Sequence, residues 1–379
     1  MATLQYLNTC VFDHGALKQL PNLLKSLGAT KPFIVTDAGL KANGLLDAVT
    51  AALAAAPTGV YADTPSNPTE SAAREAAAAY KASGADALVA LGGGSSMDMA
   101  KAVGLMATHE GPYERFGGTQ RGTKLIGRIP PLIAIPTTAG TGSEVSVGFV
   151  LILDNGRKET FVSPNLIPGV ALCDPELTLA LPPGLTAATG MDAVTHCIEA
   201  VLSPVVHPPA EAVGLDGVER AVGEGWLIRA VRDGADRDAR WNMMMASYEG
   251  ALAFVKGLGA VHGLSHALGR IAALRLHHGT LNAVILPHAL RMIEEAGAAE
   301  AKLARIGRAM RLAPHARISD AIAQLNAELG IPASLSAMGV TGDHWSDSRP
   351  YAVSDLATFT NAIPFKDAEY DALFARALG

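Results

Sequence analysis

The sequence predicts a two-part fold, an α/β unit over residues 1–185 followed by an all-α unit over 186–379. Three observations predict it. Short, β-branched apolar runs alternate with alanine-rich helical stretches in the first part, the pattern of βαβ units around a parallel sheet. After Pro182 and Pro183 the strand pattern fades, and long segments of 3.6-residue periodicity take over. The chain of 379 residues exceeds one typical domain, and its 49% hydrophobic content supplies two cores and excludes disorder.

In order, 31–35 (KPFIV), 87–91 (ALVAL) and 132–135 (LIAI) read as buried strands, with helices at 45–56 and 72–83 among them. A further helix is expected over 95–107. Helical periodicity then covers 187–202, 210–233, 236–268 and 282–295. The two parts are expected to join through a short hinge, and a cleft between such domains is a usual place for a ligand. The segments DGADRDAR at 233–240 and EEAGAAEAK at 294–302 read as solvated helix faces and connections.

Charge and composition exclude several classes of function. A net charge of −6, with 30 basic residues spread along the chain, offers no footprint for nucleic acid. The start MATLQYLNTCVFDHG lacks a basic stretch followed by an apolar run, and no segment reaches the roughly eighteen apolar residues of a membrane span. A cytoplasmic protein without a membrane partner is expected. Cys10, Cys173 and Cys197 are widely spaced, without CxxC motifs, and are expected to be reduced thiols.

The segment LGGGSSMDMAK at 91–101 places a strand, a triple-glycine turn and a helix start in succession. Gly92, Gly93 and Gly94 remove the Cβ atoms that would hold a phosphate away from the backbone, while the helix N-terminus at Ser95 offers unpaired N–H groups. The same residues also suit a plain strand-to-helix turn with Ser95 as cap. The pattern is neither GxGxxG nor a P-loop. Strand 132–135 runs into PTTAGTGSEVS at 136–146, small and rich in hydroxyls, suited to touching a ribose and a nicotinamide. Asp37 follows strand 33–35, expected to be the first strand of the nucleotide fold. There it either accepts from a ribose diol, favouring NAD over NADP, or caps the following turn.

Asp192 and His196 in GMDAVTHCIEA are four residues apart, so on a helix both project from one face. His262 and His266 repeat that spacing in GAVHGLSHALG, and His278 precedes Gly279 in an expected loop. Five of the 11 histidines fall within 262–288. Three imidazoles and one carboxylate suit Fe(II) or Zn(II), and the lack of thiolates argues against a structural zinc site. His266, one turn beyond His262, is placed to relay a proton from a substrate alcohol.

These motifs resemble those of the iron-containing (group III) alcohol dehydrogenases. GGGSSMDMAK matches the family's GGGSxxDxAK, and PTTAGTGSEV, CDPELT, GMDAVTHCIEA and GAVHGLSHALG match closely. HHGTLNAVILPH matches PHGxxNAxLLPH, with TDAGL and TPSNPTE upstream. The resemblance implies a dehydroquinate synthase-like fold, with a dinucleotide-binding α/β domain and a helical metal-binding domain. It implies metal ligands at Asp192, His196, His262 and His278, and cofactor contacts at Asp37, Asn67, Gly93, Gly94, Ser95, Asp98, Thr137, Thr138, Thr141 and Lys158. Family members use Fe(II), sometimes Zn(II), with NAD or NADP, and a homodimer or higher homo-oligomer is expected. Where the family has a proline before the last ligand, this chain has His277, so the choice of His278 rests on its adjacency to Gly279. The connection GRIAALRLHHG is slightly longer than the family's, and GDHWSDSRPYAVSDLATFTNAIPF is less similar.

Within the family the pattern is most similar to 4-hydroxybutyrate dehydrogenases, through stretches such as HPPAEAVGLDGVER and AFVKGLGAVHGLSHALG. The implied reaction interconverts a short ω-hydroxy acid and its semialdehyde by hydride transfer, with the ion acting as a Lewis acid on the substrate oxygen. Its distal carboxylate calls for a cation. Arg270 and Arg275 are candidates, with Lys256 behind them; all three also suit helix C-terminal charges. The alternatives are a dehydrogenase or reductase for another short alcohol, diol or aldehyde, and a metal-dependent lyase or cyclase of the dehydroquinate synthase type.

Overall fold

In the computed structural model, residues 8–379 are described, and they form two compact units. The first comprises 8–138 and 142–178, the second 139–141 and 179–379. Among the described residues, no helix is long and apolar enough to cross a membrane.

The first unit is built on β1 (Thr9–Phe12), β2 (Pro32–Val35), β3 (Gly59–Tyr61), β4 (Ala87–Gly92), β5 (Leu132–Pro136) and β8 (Val170–Cys173), with β6 (Gly148–Ile152) and β7 (Lys158–Val162) forming a separate antiparallel hairpin. The six-stranded sheet has the order β1-β8-β5-β4-β2-β3, and all its pairings are parallel. Such a sheet is buried on both faces, so its strands are apolar on both sides. Phe33, Val35, Leu88, Ala90 and Leu132 share one core with α4 (Glu70–Ser83) and α5 (Gly94–Thr108). Ile34, Val89, Leu91 and Ile133 face the other way, toward α1 (Leu20–Ser26) and α3 (Leu45–Ala52). The hairpin places Phe149 and Phe161 in the first of these cores, with their rings stacked at 4.5 Å.

The expected strands are β2, β4 and β5. β2 is the second strand in the chain rather than the first, because the four-residue β1 precedes it at the sheet edge. The helix expected over 45–56 ends at Ala52, where Leu53 takes extended backbone at φ −73°, ψ 147°. From β2 the chain moves to β3 on one side and then to β4 on the other. The order therefore reverses between β2 and β4, and ligands of open α/β sheets bind outside the carboxyl ends of the strands at such a point.

The second unit contains α6 (Pro183–Leu202), α7 (Pro208–Val218), α8 (Trp226–Arg232), α9 (Arg237–Ala253), α10 (Ala260–Leu268), α11 (His278–Glu295), α12 (Glu300–Ala309), α13 (Ile318–Glu328), α14 (Gly342–Ser354) and α15 (Asp367–Leu378). The first unit also holds the short α2 (Ala38–Ala42). The helix expected over 210–233 is divided by a π turn at Glu219–Gly223 and by Gly225 at φ 77°. The stretch 236–268 divides at Gly257, whose φ of 87° favours glycine and where a Cβ would lie 2.2 Å from Thr360 Oγ1. His278, expected in a loop, is the first residue of α11.

α6 is the axis of this unit and is buried along most of its length. The N-terminus of α11 approaches it at Gly279, where a Cβ would lie 2.2 Å from the backbone oxygen of Ala188. Substituting Gly279→Ala is expected to cost about 1–3 kcal/mol by forcing the two helices apart. Scanning calorimetry should record a lower melting temperature, and an unchanged one would refute this close approach.

Candidate metal centre and nucleotide loop

Four helix positions bring donor atoms to one point in the second unit. Asp192 and His196 come from one face of α6, His262 from the first turn of α10 and His278 from the start of α11. The Nε2 atoms of His196, His262 and His278 lie 3.8, 3.7 and 3.6 Å from Asp192 Oδ1. The donor atoms of Asp192, His196 and His262 all lie within 4.8 Å of one another, and these three residues are buried. His278 is the more open member.

Each imidazole is held from behind through its other nitrogen. His262 Nδ1 meets Glu199 Oε2 at 2.6 Å, His196 Nδ1 meets the Gly140 carbonyl at 3.1 Å, and His278 Nδ1 meets Ser265 Oγ at 2.9 Å. Partners of this kind fix the ring and its tautomer, so that Nε2 presents a lone pair in the neutral form. Glu199 also accepts from the backbone N–H of Val261 through Oε1, at 2.9 Å, which seats the N-terminus of α10 in the same contact.

Asn282, one turn into α11 from His278, lies at the focus. Its Nδ2 donates to Asp192 Oδ1 at 2.7 Å and stands 3.1 Å from both His262 Nε2 and His278 Nε2. Its Oδ1 is buried without a hydrogen-bond partner among the described residues. One amide nitrogen has two hydrogens to offer this set, and neutral imidazoles would add further lone pairs. A divalent cation suits such a set, and its nitrogen and oxygen donors fit Fe(II) or Zn(II).

The local electrostatics agree. Burial pushes the Asp192 carboxyl up, but His196, His278 and His262 together hold it well below the usual carboxylate range. Burial lowers His196 to about 4. For His262 burial is outweighed by Asp192 and Glu199, which raise the imidazole to about 9.

His266 does not join the four. Its Nδ1 meets Asp355 Oδ2 at 3.0 Å, and its ring stacks on His278 with centroids 5.2 Å apart. Burial raises the Asp355 carboxyl, but the neighbouring His266 holds it below its ordinary value. His277 precedes α11, and its side chain is exposed. Arg270 lies with Cζ 3.2 Å from the centre of the Tyr351 ring. Arg275 is exposed, at a left-handed φ of 48°. Lys256, expected behind the two arginines, is instead buried and ion-paired with Glu211 at 2.9 Å, so its ammonium is taken up within the helical unit.

In the first unit, Asp37 follows β2, and Gly92 closes β4 with Gly93 and Gly94 after it, on either side of the reversal in strand order. Gly92 has φ 147°, and a Cβ there would lie 2.5 Å from Ser96 Oγ, so the turn requires glycine. Gly93 precedes the 15-residue α5, which starts at Gly94. Ser95 Oγ donates to the Ser66 carbonyl at 2.6 Å, beside Asn67, and Thr137 N donates to Gly92 O at 3.0 Å. Thr138 packs against Gly93 with its Oγ1 unpartnered among the described residues. Asp37 caps α2 by accepting from Leu40 N at 3.0 Å, while its other oxygen meets Ser96 Oγ at 3.4 Å. Asp98 accepts from Ser143 Oγ at 2.6 Å and from Val150 N at 2.9 Å, so both its oxygens bind within the unit. Lys158 opens β7, and Thr141 belongs to the short segment that packs with the helical unit.

Glu199, Ser265 and Asn282 were not singled out in the sequence, although each falls three or four residues from a candidate ligand on the same helix. Asp355 comes from a distant segment and carries no local signal.

Comparison with known proteins follows the same division. Residues 8–175 match the profile of iron-containing alcohol dehydrogenases, and 186–378 match that of the C-terminal part of the Fe-containing alcohol dehydrogenase family. The chain is 46% identical over 384 residues to a 4-hydroxybutyrate dehydrogenase of Cupriavidus necator, covering 100% of both chains. A solved structure of 1,3-propanediol oxidoreductase superposes with a TM-score of 0.92 at 31% identity, covering 100% of each chain. Sulfoacetaldehyde reductase from Bifidobacterium kashiwanohense, solved in complex with NAD+, gives 0.88 at 26% identity over 100% of this chain and 98% of that one.

Two outcomes follow from the geometry. Glu199→Gln is expected to weaken Zn(II) binding roughly 10- to 100-fold while the fold is kept, measured by competition with a chelating dye. A proton on His262 competes with the ion, and its folded value of about 9 lies above the ordinary 6.5. The stability this proton gives the metal-free protein is present below pH 6.5 and lost as pH rises through 9. Zn(II) affinity should rise across that window, and a flat profile would remove His262 from the centre.

Proposed function

The chain belongs to the iron-containing alcohol dehydrogenase family, and on that premise we propose a metal-dependent, NAD-linked dehydrogenase that interconverts 4-hydroxybutyrate and succinate semialdehyde. The observation that carries the chemistry is the convergence of three back-anchored Nε2 atoms on the buried Asp192 carboxylate. The hydroxy acid is supported by the full-length similarity to the Cupriavidus necator enzyme.

Asp192, His196, His262 and His278 would hold the ion. When bound, a divalent ion supplies Lewis-acid polarisation of the alcohol or aldehyde oxygen, and NAD supplies the hydride acceptor. Glu199, Gly140 and Ser265 orient the three imidazoles, so the donor set is in place before substrate arrives. His266 is the proton carrier in this reading. With Nδ1 held by Asp355, its Nε2 is the atom left to take the alcohol proton in one direction and return it in the other.

In the first unit, the N-terminus of α5 at Gly93, Gly94 and Ser95 cradles the pyrophosphate through free backbone N–H groups. Asp37 accepts from the adenosine ribose, which favours NAD over NADP, and Asn67, Thr137, Thr138, Thr141 and Lys158 complete the contacts. Asp98 contributes by holding Ser143 of the PTTAGTGSEV loop and Val150 beyond it. Residues 1–185 thus bind the dinucleotide and 186–379 hold the metal. We place the enzyme in the cytoplasm as a homodimer or higher homo-oligomer, as the family resemblance leads us to expect. A second reading, oxidation of another short alcohol or diol, is favoured by the similarity to 1,3-propanediol oxidoreductase.

The test is NADH formation by the purified protein with NAD, Fe(II) or Zn(II), and alcohols from ethanol through 1,3-propanediol to 4-hydroxybutyrate. Preferred turnover of 4-hydroxybutyrate is expected, and turnover of neutral alcohols alone would transfer the assignment to the second reading. Asp192→Ala and His262→Ala should each lose bound metal, read by elemental analysis, and turnover, while NAD binding read by fluorescence persists. Unchanged activity in either variant would remove the proposed centre.

A further inference from the structure

We propose that Arg270 is the receptor for the substrate carboxylate, and that its spacing from His262 along α10 sets the length of hydroxy acid accepted. The inference rests on the hydroxy-acid reading above and adds to it a residue and a measure of length.

His262, His266 and Arg270 follow one another at intervals of four residues, so they form one stripe along the helix. α10 ends at Leu268, but Gly269 keeps right-handed helical backbone at φ −63°, ψ −8°, which carries the turn on to Arg270. The stripe is matched from across the packing by α14 and the residue that follows it. Asp355 meets His266, and Tyr351, four residues earlier, lies under Arg270. The two paired contacts run in opposite chain directions, and they show that Arg270 and His266 lie on the same side of α10.

The guanidinium is held but not neutralised. Arg270 has no ion pair among the described residues, and its Nε is buried without a hydrogen-bond partner. The Tyr351 ring beneath it restrains the guanidinium plane through cation–π attraction without neutralising its charge. The other candidate cations of this unit are ion-paired or exposed, and Arg349 shares only the buried Nε without a hydrogen-bond partner. Arg349 on α14 is occupied by Asp371 at 2.8 Å, Lys256 by Glu211 at 2.9 Å, and Arg275 stands exposed at the end of a short 3-10 turn. A role confined to the helix dipole would put the charge at the end of α10 but would not explain a buried, unpartnered Nε.

The order of the stripe suits an acid with its hydroxyl at the metal ligands and its carboxylate further along α10. Eight residues of helix carry the chain about 12 Å from His262 to Arg270. An extended four-carbon hydroxy acid spans roughly 6 Å from hydroxyl oxygen to carboxylate carbon. The helical rise separates the backbones; the lean of the arginine side chain toward the helix N-terminus brings the guanidinium nearer the metal ligands, and a charged hydrogen bond of about 2.8 Å completes the contact. Each methylene added or removed moves the carboxylate by about 1.3 Å, enough to stretch or crowd a bidentate contact.

The experiment compares the metal-loaded native enzyme with Arg270→Met and Arg270→Lys. Substrates are 3-hydroxypropionate, 4-hydroxybutyrate, 5-hydroxypentanoate and the uncharged 1,4-butanediol, each followed by NADH formation. The native enzyme should prefer 4-hydroxybutyrate to its shorter and longer homologues. In Arg270→Met the ratio of kcat/KM for 4-hydroxybutyrate to that for 1,4-butanediol should fall roughly 10- to 100-fold, mainly through KM, with partial recovery in Arg270→Lys. Calorimetric binding of succinate, a dicarboxylate of the same length, should weaken by a similar factor in Arg270→Met. An unchanged ratio with intact 4-hydroxybutyrate turnover would overturn the Arg270 assignment and leave the hydroxy-acid reading standing. Native enzyme that oxidises the diol but not the acid would overturn both.

Discussion

A carboxylate buried in the middle of α6 must be compensated, and the helical unit is arranged around that requirement. An ionised acid placed in a protein interior without partners is prohibitively costly, and the usual solutions are donors, opposite charge or a metal ion. Asp192 is met by Asn282 and by the edges of three imidazoles, brought from three helices. Glu199, two turns further along α6, repeats the device by accepting from the first turn of α10 and from His262 together. One helix therefore sets both the place of α10 and the aim of the imidazole it carries. Gly279 lets the start of α11 come close enough to complete the set.

The α/β unit has a buried charge system of its own. Lys101 on α5 is fully buried and donates to the carbonyls of Ser146 and Gly148, at 3.0 and 2.8 Å. Asp98, one turn earlier, accepts from Ser143 and Val150. Burial lowers the Lys101 ammonium to about 8, with Asp98 and Glu144 opposing, and raises the Glu144 carboxyl to about 7. The helix that presents its N-terminus beside the glycines thus grips, further along, the chain that leaves the hydroxyl-rich loop. Both flanks of the proposed nucleotide site are tied to one rigid element, which limits how far either can drift.

The parts legible in the sequence were those whose pattern is local. A four-residue spacing on a helix places Asp192 with His196, and three adjacent glycines after a buried strand identify the turn into α5. Less was visible where tertiary contacts decide the outcome. β1 and β3 lie at the two edges of the sheet without a buried apolar run of their own, and they are strands because a sheet receives them. The long periodic stretches concealed breaks at Gly225 and Gly257, because the apolar pattern continues across both positions. Asp355 reaches His266 from a segment 89 residues away, and no spacing rule links the two. The burial of Lys256 was equally invisible, since a lysine near a helix end usually extends into water.

The order of the parallel sheet also bears on how the chain is made. β1 has a single neighbour in the sheet, β8, with Thr9 opposite Val170. Its hydrogen-bonding partner is thus about 160 residues downstream, and at ordinary synthesis rates it emerges from the ribosome roughly 8 to 30 seconds later. During that interval β2, β3, β4 and β5 can assemble with their helices, while the first strand waits with its backbone N–H and C=O groups unpaired. Closing so long a loop is slow, and an unpaired apolar strand is open to association with other chains in the meantime. The N-terminal edge is therefore the last part of the sheet to be completed, and the interval before β8 arrives is when nascent chains are most exposed to aggregation.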